Sequence, residues 1–270
     1  MTVETAQSVT AGLAFDQLAP RYDSIFTISS VGKTQRDVVW RRALETFPTG
    51  GRILELNCGT GEDALFLAQA GMRITACDAS PSMVAQAHNK ISNANFLDQV
   101  DLHVLATEDL DKLATSWSFD GVLSNFSGLN CVEDLERTAR LLSTRLKPGT
   151  ALLLCLSTRY CLWEISYYFL HRDAQKAFRR CRGSAQAHIG NVEFPVFYPT
   201  LSELRKAFAP AFNLLSTTGV GIAVPPSYME PWIAKHSMLL NSCKKLDSVI
   251  CRWPLMRTLG DHMLLHMERV

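Results

Sequence analysis

From Arg52 to Ser157, apolar runs alternate with helical periodicities: "RILEL", a helix from Gly61, "RITAC", a helix from Pro81, "VDLHVL", "FDGVLSN", a helix from Val132, then "TALLLCLS". Short apolar strands separated by amphipathic helices bury both faces of a parallel sheet, so the pattern predicts a doubly wound α/β fold. The helix starts carry their own signals. Ser80 is a candidate N-cap with Pro81 at the first helical position, and Thr200 with Glu203 forms a capping box before "LSELRKAFA".

Beyond Ser157 the alternation breaks. Segments 158–199 and 225–258 read as lids over the carboxyl ends of the strands, where open α/β sheets bind ligands. Between them stand the helix from Thr200 and an extended "FNLLSTTGVGIAV". "DHMLLHMERV" closes the chain as an antiparallel or edge-proximal strand. The expected organisation is a single domain: an N-terminal helical segment over 1–50, a core over 51–157, the two lids, and a final strand over 259–270.

With 270 residues and 47% hydrophobic content, the chain has enough apolar material for one sizeable core. A net charge of +1 supplies no field strong enough to recruit nucleic acid or an anionic membrane, so the expected partner is a small molecule. "MTVETAQSVT" has no basic flank or apolar stretch, and "ALLLCLS" falls far short of the roughly 20 residues that span a bilayer. The expectation is a cytoplasmic protein without integral membrane contact. Eight cysteines include no C-x-x-C pair, which favours reduced thiols over a metal site. His262 and His266, four apart in a strand, stand about 13 Å apart and cannot share a metal ion.

The chemistry concentrates in "RILELNCGTGEDALFLA". Gly59, Gly61 and Ala64 satisfy G-x-G-x-x-G/A, and Asp78 ends the second strand, the pattern of an adenosine-containing ligand. The acids narrow the choice. A pyrophosphate favours a helix N-terminus for its positive dipole end, whereas here Glu62 and Asp63 fill the first turn and Glu55 ends the preceding strand. Three carboxylates repel a dianion and attract a sulfonium or ammonium group. A nicotinamide-dependent oxidoreductase is therefore favoured by the glycine spacing alone; a non-catalytic binding module needs only the same turn.

These residues resemble the class I S-adenosylmethionine-dependent methyltransferases, whose first motif runs acid, any, glycine, any, glycine, any, glycine. Here it reads Glu55, Leu56, Asn57, Cys58, Gly59, Thr60, Gly61, with Asn57 in place of the first glycine. Asparagine is the non-glycine residue that most readily adopts a left-handed backbone, so the turn survives. "AFDQLAPRYDSIF" is similar to the short helix preceding the sheet in these enzymes and implies that Tyr22 closes over the cofactor. "CDASPSMVAQA" implies Asp78 on the ribose hydroxyls, Ala79 beside it and Met83 against the adenine. In "LATEDL", Ala106 stands where many relatives carry an aspartate, so the adenine contact passes to the backbone of Ala106 and Thr107 or to Glu108. "FDGVLSNFSGLNCVEDL" implies Asn125 and Phe126 near the methyl group.

The resemblance implies a Rossmann-like, doubly wound, mostly parallel seven-stranded sheet with helical lid insertions, S-adenosyl-L-methionine as cofactor, and in-line methyl transfer. In-line displacement needs a nucleophile held about 3–3.5 Å behind the methyl group and water excluded, so no catalytic base is assigned. Arg36 reads as a solvated helix arginine, with a bidentate contact to the cofactor carboxylate as the alternative. "HRDAQKAFRRCR" is either a solvated face or a cluster for an anionic substrate group. Trp163, Tyr167 and Tyr168 in the first lid, and Tyr228 and Trp232 in the second, suggest an enclosed pocket for a small, largely apolar acceptor.

Overall fold

The computed structural model describes residues 3–113 and 119–270, with side chains from Thr10 onward, so most of "MTVETAQSVT" lies outside the described side chains. The elements are α1 (Val3–Tyr22), α2 (Ser30–Thr46), β1 (Arg52–Leu56), α3 (Glu62–Gln69), β2 (Arg73–Asp78), α4 (Pro81–Asn93), β3 (Val100–Val104), β4 (Phe119–Ser124), α5 (Leu135–Ser143) and β5 (Leu146–Ser157). There follow α6 (Leu162–Leu170), α7 (Ala174–Ala177), β6 (Ser184–Ile189), β7 (Val192–Phe197), α8 (Leu201–Phe208), β8 (Phe212–Val220), α9 (Glu230–Ile233), α10 (Ser237–Ile250) and β9 (His262–Arg269).

Seven strands form one sheet in the order β3-β2-β1-β4-β5-β9-β8. The first five strands run parallel, and β9 lies antiparallel to both β5 and β8. The order reverses between β1 and β4, which opens a crevice at the carboxyl ends of those strands. Apolar side chains that alternate along each strand feed two cores. Leu54, Val122, Leu152 and Leu154 face α5 and α8, while Ile53, Ile74, Leu123 and Leu153 face Val39 and Ala43 of α2 and Leu67 of α3. Helix α5 joins through Leu135, Thr138, Ala139 and Leu142, the i, i+3, i+4, i+7 stripe of a half-buried helix. Both capping signals form as read: Ser80 Oγ accepts from Met83 N, and Thr200 and Glu203 cap each other reciprocally.

Three features differ from the sequence reading. The N-terminal helix runs to twenty residues and ends in a π turn over Asp23–Thr27. The first insertion is not all helical, because β6 and β7 pair as an antiparallel hairpin around Gly190 and Asn191. The second insertion packs Ile233 and Leu240 against Val31 and Val224, and Glu230 accepts from Ser30 N (2.8 Å) and Val31 N (2.9 Å) at the start of α2. Only Ser227 of that insertion reaches the crevice. Among the described residues no helix is long and apolar enough to cross a membrane.

Candidate active site

The turn after β1 is built as its sequence suggests. Asn57 takes φ 56°, Gly59 φ 53° and Gly61 φ 73°, so the chain reverses through left-handed residues before α3 begins. Asn57 adds something a glycine cannot: its Oδ1 accepts from Thr107 Oγ1 and from Ser124 Oγ, each at 3.3 Å. The side chain thereby ties β1 to the exits of β3 and β4. It also packs on Gly128, where a β-carbon would sit 2.2 Å from that of Asn57.

Around the turn lies a cleft of about 610 Å³, within the range of roughly 300–1,000 Å³ typical of small-ligand pockets. Tyr22, Asn57, Gly59, Asp78, Ala79, Met83, Thr107, Asn125 and Phe126 line it. The structure thus brings together nine of the twelve positions named for the cofactor. Glu55, Gly61 and Ala106 do not line it. Gly61 instead allows close packing, since a β-carbon there would meet Ala87 at 2.8 Å.

Asp78 is held from both sides: Oδ2 accepts from Gly59 N and Oδ1 from Ser80 N, each at 2.9 Å. Burial raises its pKa, and these two N–H donors oppose the rise. Helix α1 closes over this corner. Asp16 accepts from Ser80 Oγ (2.6 Å) and Ser82 N (2.8 Å), and Gly12 permits the approach, because a β-carbon there would lie 2.8 Å from the Ala79 carbonyl oxygen.

The acids are arranged differently from the sequence reading. Asp63 pairs with Arg36 at 2.6 Å, both side chains buried, and also accepts from Trp40 Nε1 (2.6 Å) and Asn125 Nδ2 (3.1 Å). Glu62 and Asp23 both meet Lys90, at 2.8 and 2.9 Å. Glu55 is fully buried with Oε2 unpartnered, and its pKa is pushed well above the glutamate value, first by burial and then by the charge of Asp63. The shift favours its neutral form and so weakens its share of the field in the cleft. An excess of acids nevertheless remains on the cleft wall: Glu62, Asp63, Asp78 and Glu108 stand against Arg36 and an Arg179 already bound to Glu164.

Arg36 is not solvated. It lies 4.9 Å over the Phe126 ring and 5.8 Å over Phe26, and its Nε is buried without a partner. Phe126 (φ 48°) and Ser127 (φ 68°) carry a left-handed turn directly after β4, held where Asn125 Oδ1 accepts from Phe126 N at 3.0 Å. Behind Phe126, at 5.5 Å and edge-on, stands buried His262, whose pKa is lowered chiefly by desolvation. The Tyr22 phenol is pushed up to about 12 by burial, against the opposing effect of Arg36.

None of Trp163, Tyr167, Tyr168, Tyr228 and Trp232 lines the cleft. Trp163 and Trp232 border a second groove between α6 and α9–α10, while the rings of Tyr167, Tyr168 and Tyr228 pack on one another, edge-on or tilted, at 5.2 to 5.9 Å. Two members of the basic cluster are likewise occupied internally. Arg179 grips Glu164 through 2.8 and 3.1 Å contacts, and Arg180 bridges Glu164 to Asp261. The apolar wall of the cleft comes instead from Ala11 and Phe15 of α1 and from Ala187, Ile189, Phe194 and Val196 of the hairpin. A Gly-Asn step between two alternating runs, "AQAHI" and "VEFPVF", was the signal for that hairpin. No local signal joined the hairpin to α1.

A methyltransferase-domain family model matches residues 53–149. The ubiquinone/menaquinone biosynthesis C-methyltransferase of Geotalea daltonii is 32% identical over 163 residues, 57% of this chain and 67% of that protein. The demethylmenaquinone methyltransferase of Clavibacter sepedonicus is 33% identical over 144 residues, 52% of this chain and 55% of that one. Among solved structures, the cyclase SpnF overlaps 97% of this chain and 96% of its own with a TM-score of 0.63, and at 17% identity that overlap speaks for the fold alone. The nicotinamide reading, which rested on glycine spacing, is set aside. A strand order reversed at β1/β4, an acid-rich glycine turn beneath a ligand-sized cleft, and 32% identity across two thirds of a curated relative place this chain in the class I S-adenosylmethionine-dependent methyltransferase family.

Proposed function

We propose that the chain methylates a small, largely apolar acceptor held in the apolar half of the cleft, and that the acceptor is a ring of the hydroquinone type. The observation that carries this reading is the division of one cleft into two chemistries. Its floor is polar, from Asn57 to Asp63 with Asp78 and Asn125, and its roof is apolar, from Phe15, Ile189, Phe194 and Val196. The names of the two curated relatives, one for ubiquinone/menaquinone biosynthesis and the other for demethylmenaquinone methylation, support the acceptor class.

The residues present suit S-adenosylmethionine, which when bound supplies an electrophilic methyl group on a sulfonium. A β-carbon on Gly59 would meet no atom within 4 Å, so the turn leaves open space where a ligand lies against backbone. Asp78 would hold the ribose hydroxyls with lone pairs not used by Gly59 and Ser80, and Met83 and Ala79 would flank the adenine. The unpartnered Nε of Arg36 suits the amino-acid carboxylate.

The chain's own contribution to the reaction is alignment and exclusion of water. Tyr22, at the end of α1, packs on Phe26 and Phe26 on Phe126, with ring centroids 5.9 and 4.9 Å apart, so aromatic rings shield the cleft where Tyr22 and Phe126 line it. At neutral pH the Tyr22 phenol holds its proton, so it orients rather than removes a proton. Incubation with methyl-labelled cofactor and a panel of hydroquinones tests the proposal. Label in a small organic product, with Phe194→Ala raising the acceptor KM, supports it; label recovered in protein or nucleic acid refutes it.

A further inference from the structure

Away from the cleft, the segment from Pro231 to Gly260 segregates its chemistry. Trp232, Leu239, Leu246 and Trp253 recur at seven-residue intervals, and all four are exposed by 42–54%. The first three border the same groove of about 440 Å³, whose far wall is Leu162 and Trp163 of α6. Beyond it Val249 and Leu255 also face solvent, Leu255 at 80%. Exposed apolar side chains this continuous mark an interaction surface rather than ordinary scatter.

The charges on the same stretch are of one sign. Lys235, Lys244, Lys245 and Arg252 are exposed. The single acid, Asp247, is buried and accepts from Ala223 N (2.6 Å) and Val224 N (3.2 Å). Glu230, at the start of α9, is taken up by Ser30 and Val31, and on the α2 side Asp37 and Glu45 stand with Arg41 and Arg42 beside Lys244 and Arg252. A chain with a net charge of only +1 therefore presents an apolar groove whose rim is predominantly cationic.

We infer that the α9–α10 face docks on an anionic lipid bilayer, with the Trp232–Leu239–Leu246–Trp253 stripe entering the headgroup boundary and the lysines and Arg252 meeting lipid phosphates. Charge complementarity selects this occupant. A helix with an apolar face and a basic rim lies in the membrane interface, tryptophan being suited to that depth, and each basic group adds to attraction by acidic lipids. A second copy of the chain fits less well, because a two-fold contact would bring two predominantly basic rims against one another.

Co-sedimentation of the full chain with phosphatidylcholine vesicles, with and without phosphatidylglycerol, is the test. Phosphatidylglycerol is expected to tighten binding by more than about tenfold, added salt to reverse the gain, and tryptophan emission to shift to the blue on binding. Lys244→Glu with Lys245→Glu is expected to lose at least about tenfold of that binding, and Leu246→Glu to abolish the emission shift. All three positions are exposed, and unchanged S-adenosylhomocysteine affinity reports that the fold and the cleft are intact. No acceptor is used, so the outcome is independent of the proposed methyl acceptor. Equal binding to both vesicle types, or none, overturns the inference. A concentration-dependent dimer dissociated by Leu246→Glu also overturns it, by assigning the face to a second copy.

Discussion

The guanidinium of Arg36 and the carboxylate of Asp63 meet at 2.6 Å with both side chains out of water, joining α2 to the first turn of α3 at the floor of the cleft. Trp40 and Asn125 also donate to Asp63, and the Phe126 ring covers Arg36. An acid that reads in sequence as an open attractant for a cation is therefore a tie between three segments. It orders the loop after β4, because Asn125 both donates to Asp63 and accepts from Phe126 N.

Removing one member of this pair strands the other. Asp63→Asn is expected to lower unfolding free energy by about 3 kcal/mol in urea titrations, the cost of leaving a buried charge without its counter-charge. Cofactor affinity is expected to fall with it as the Asn125–Phe126 loop loosens. Wild-type stability in this variant would show that Arg36 finds another partner.

Glu55 yields a pH dependence of defined sign. Its folded-state pKa lies above the ordinary value near 4.5, so the folded protein prefers the protonated carboxyl. That contribution is complete below the ordinary value and is lost as pH rises through the folded-state pKa. Relative to Glu55→Gln, which does not titrate, the wild type is expected to lose stability from about pH 4.5 upward. Urea unfolding of both proteins across that range decides the matter; parallel profiles would mean that Glu55 ionises freely.

Asp78→Ala is expected to weaken S-adenosylhomocysteine binding by more than about tenfold in calorimetry, with charge-assisted bonds to the ribose lost and the amides of Gly59 and Ser80 left unpaired. Asp78→Asn keeps an acceptor for one of those amides and is expected to fall between. Wild-type affinity in a folded Asp78→Ala protein would remove this residue from the cofactor site.

Glycine at position 57 satisfies the backbone, yet it deletes the acceptor shared by Thr107 and Ser124. Asn57→Gly is expected to cost about 1 kcal/mol of stability, the two hydroxyls losing a buried partner while the left-handed turn is relieved. Its cofactor affinity is expected to stay within about threefold, since the backbone course of the turn is kept. A chemical-denaturation midpoint equal to wild type would make the two 3.3 Å contacts energetically idle.

What lay in the sequence was whatever depends on neighbours along the chain. Alternating strands and helices, the Ser80 and Thr200 caps, the left-handed Asn57 and the glycine turn are local, because backbone sterics and hydrogen-bond closure act over a few residues. Of the nine positions named for the cofactor that line one cleft, eight follow the carboxyl ends of β1, β2, β3 and β4, which a parallel sheet must bring together, and Tyr22 comes from the end of α1. Charge state and partnership were decided only by folding. Arg36 and Asp63 are 27 positions apart, and Glu230 caps a helix 200 positions away, so no local pattern signals either contact. The aromatic residues of the insertions show the same limit, since composition reports that Trp163 and Trp232 need apolar cover but not which groove supplies it. The apolar wall of the cleft came instead from α1 and the β6–β7 hairpin, whose meeting depends on packing across the whole domain.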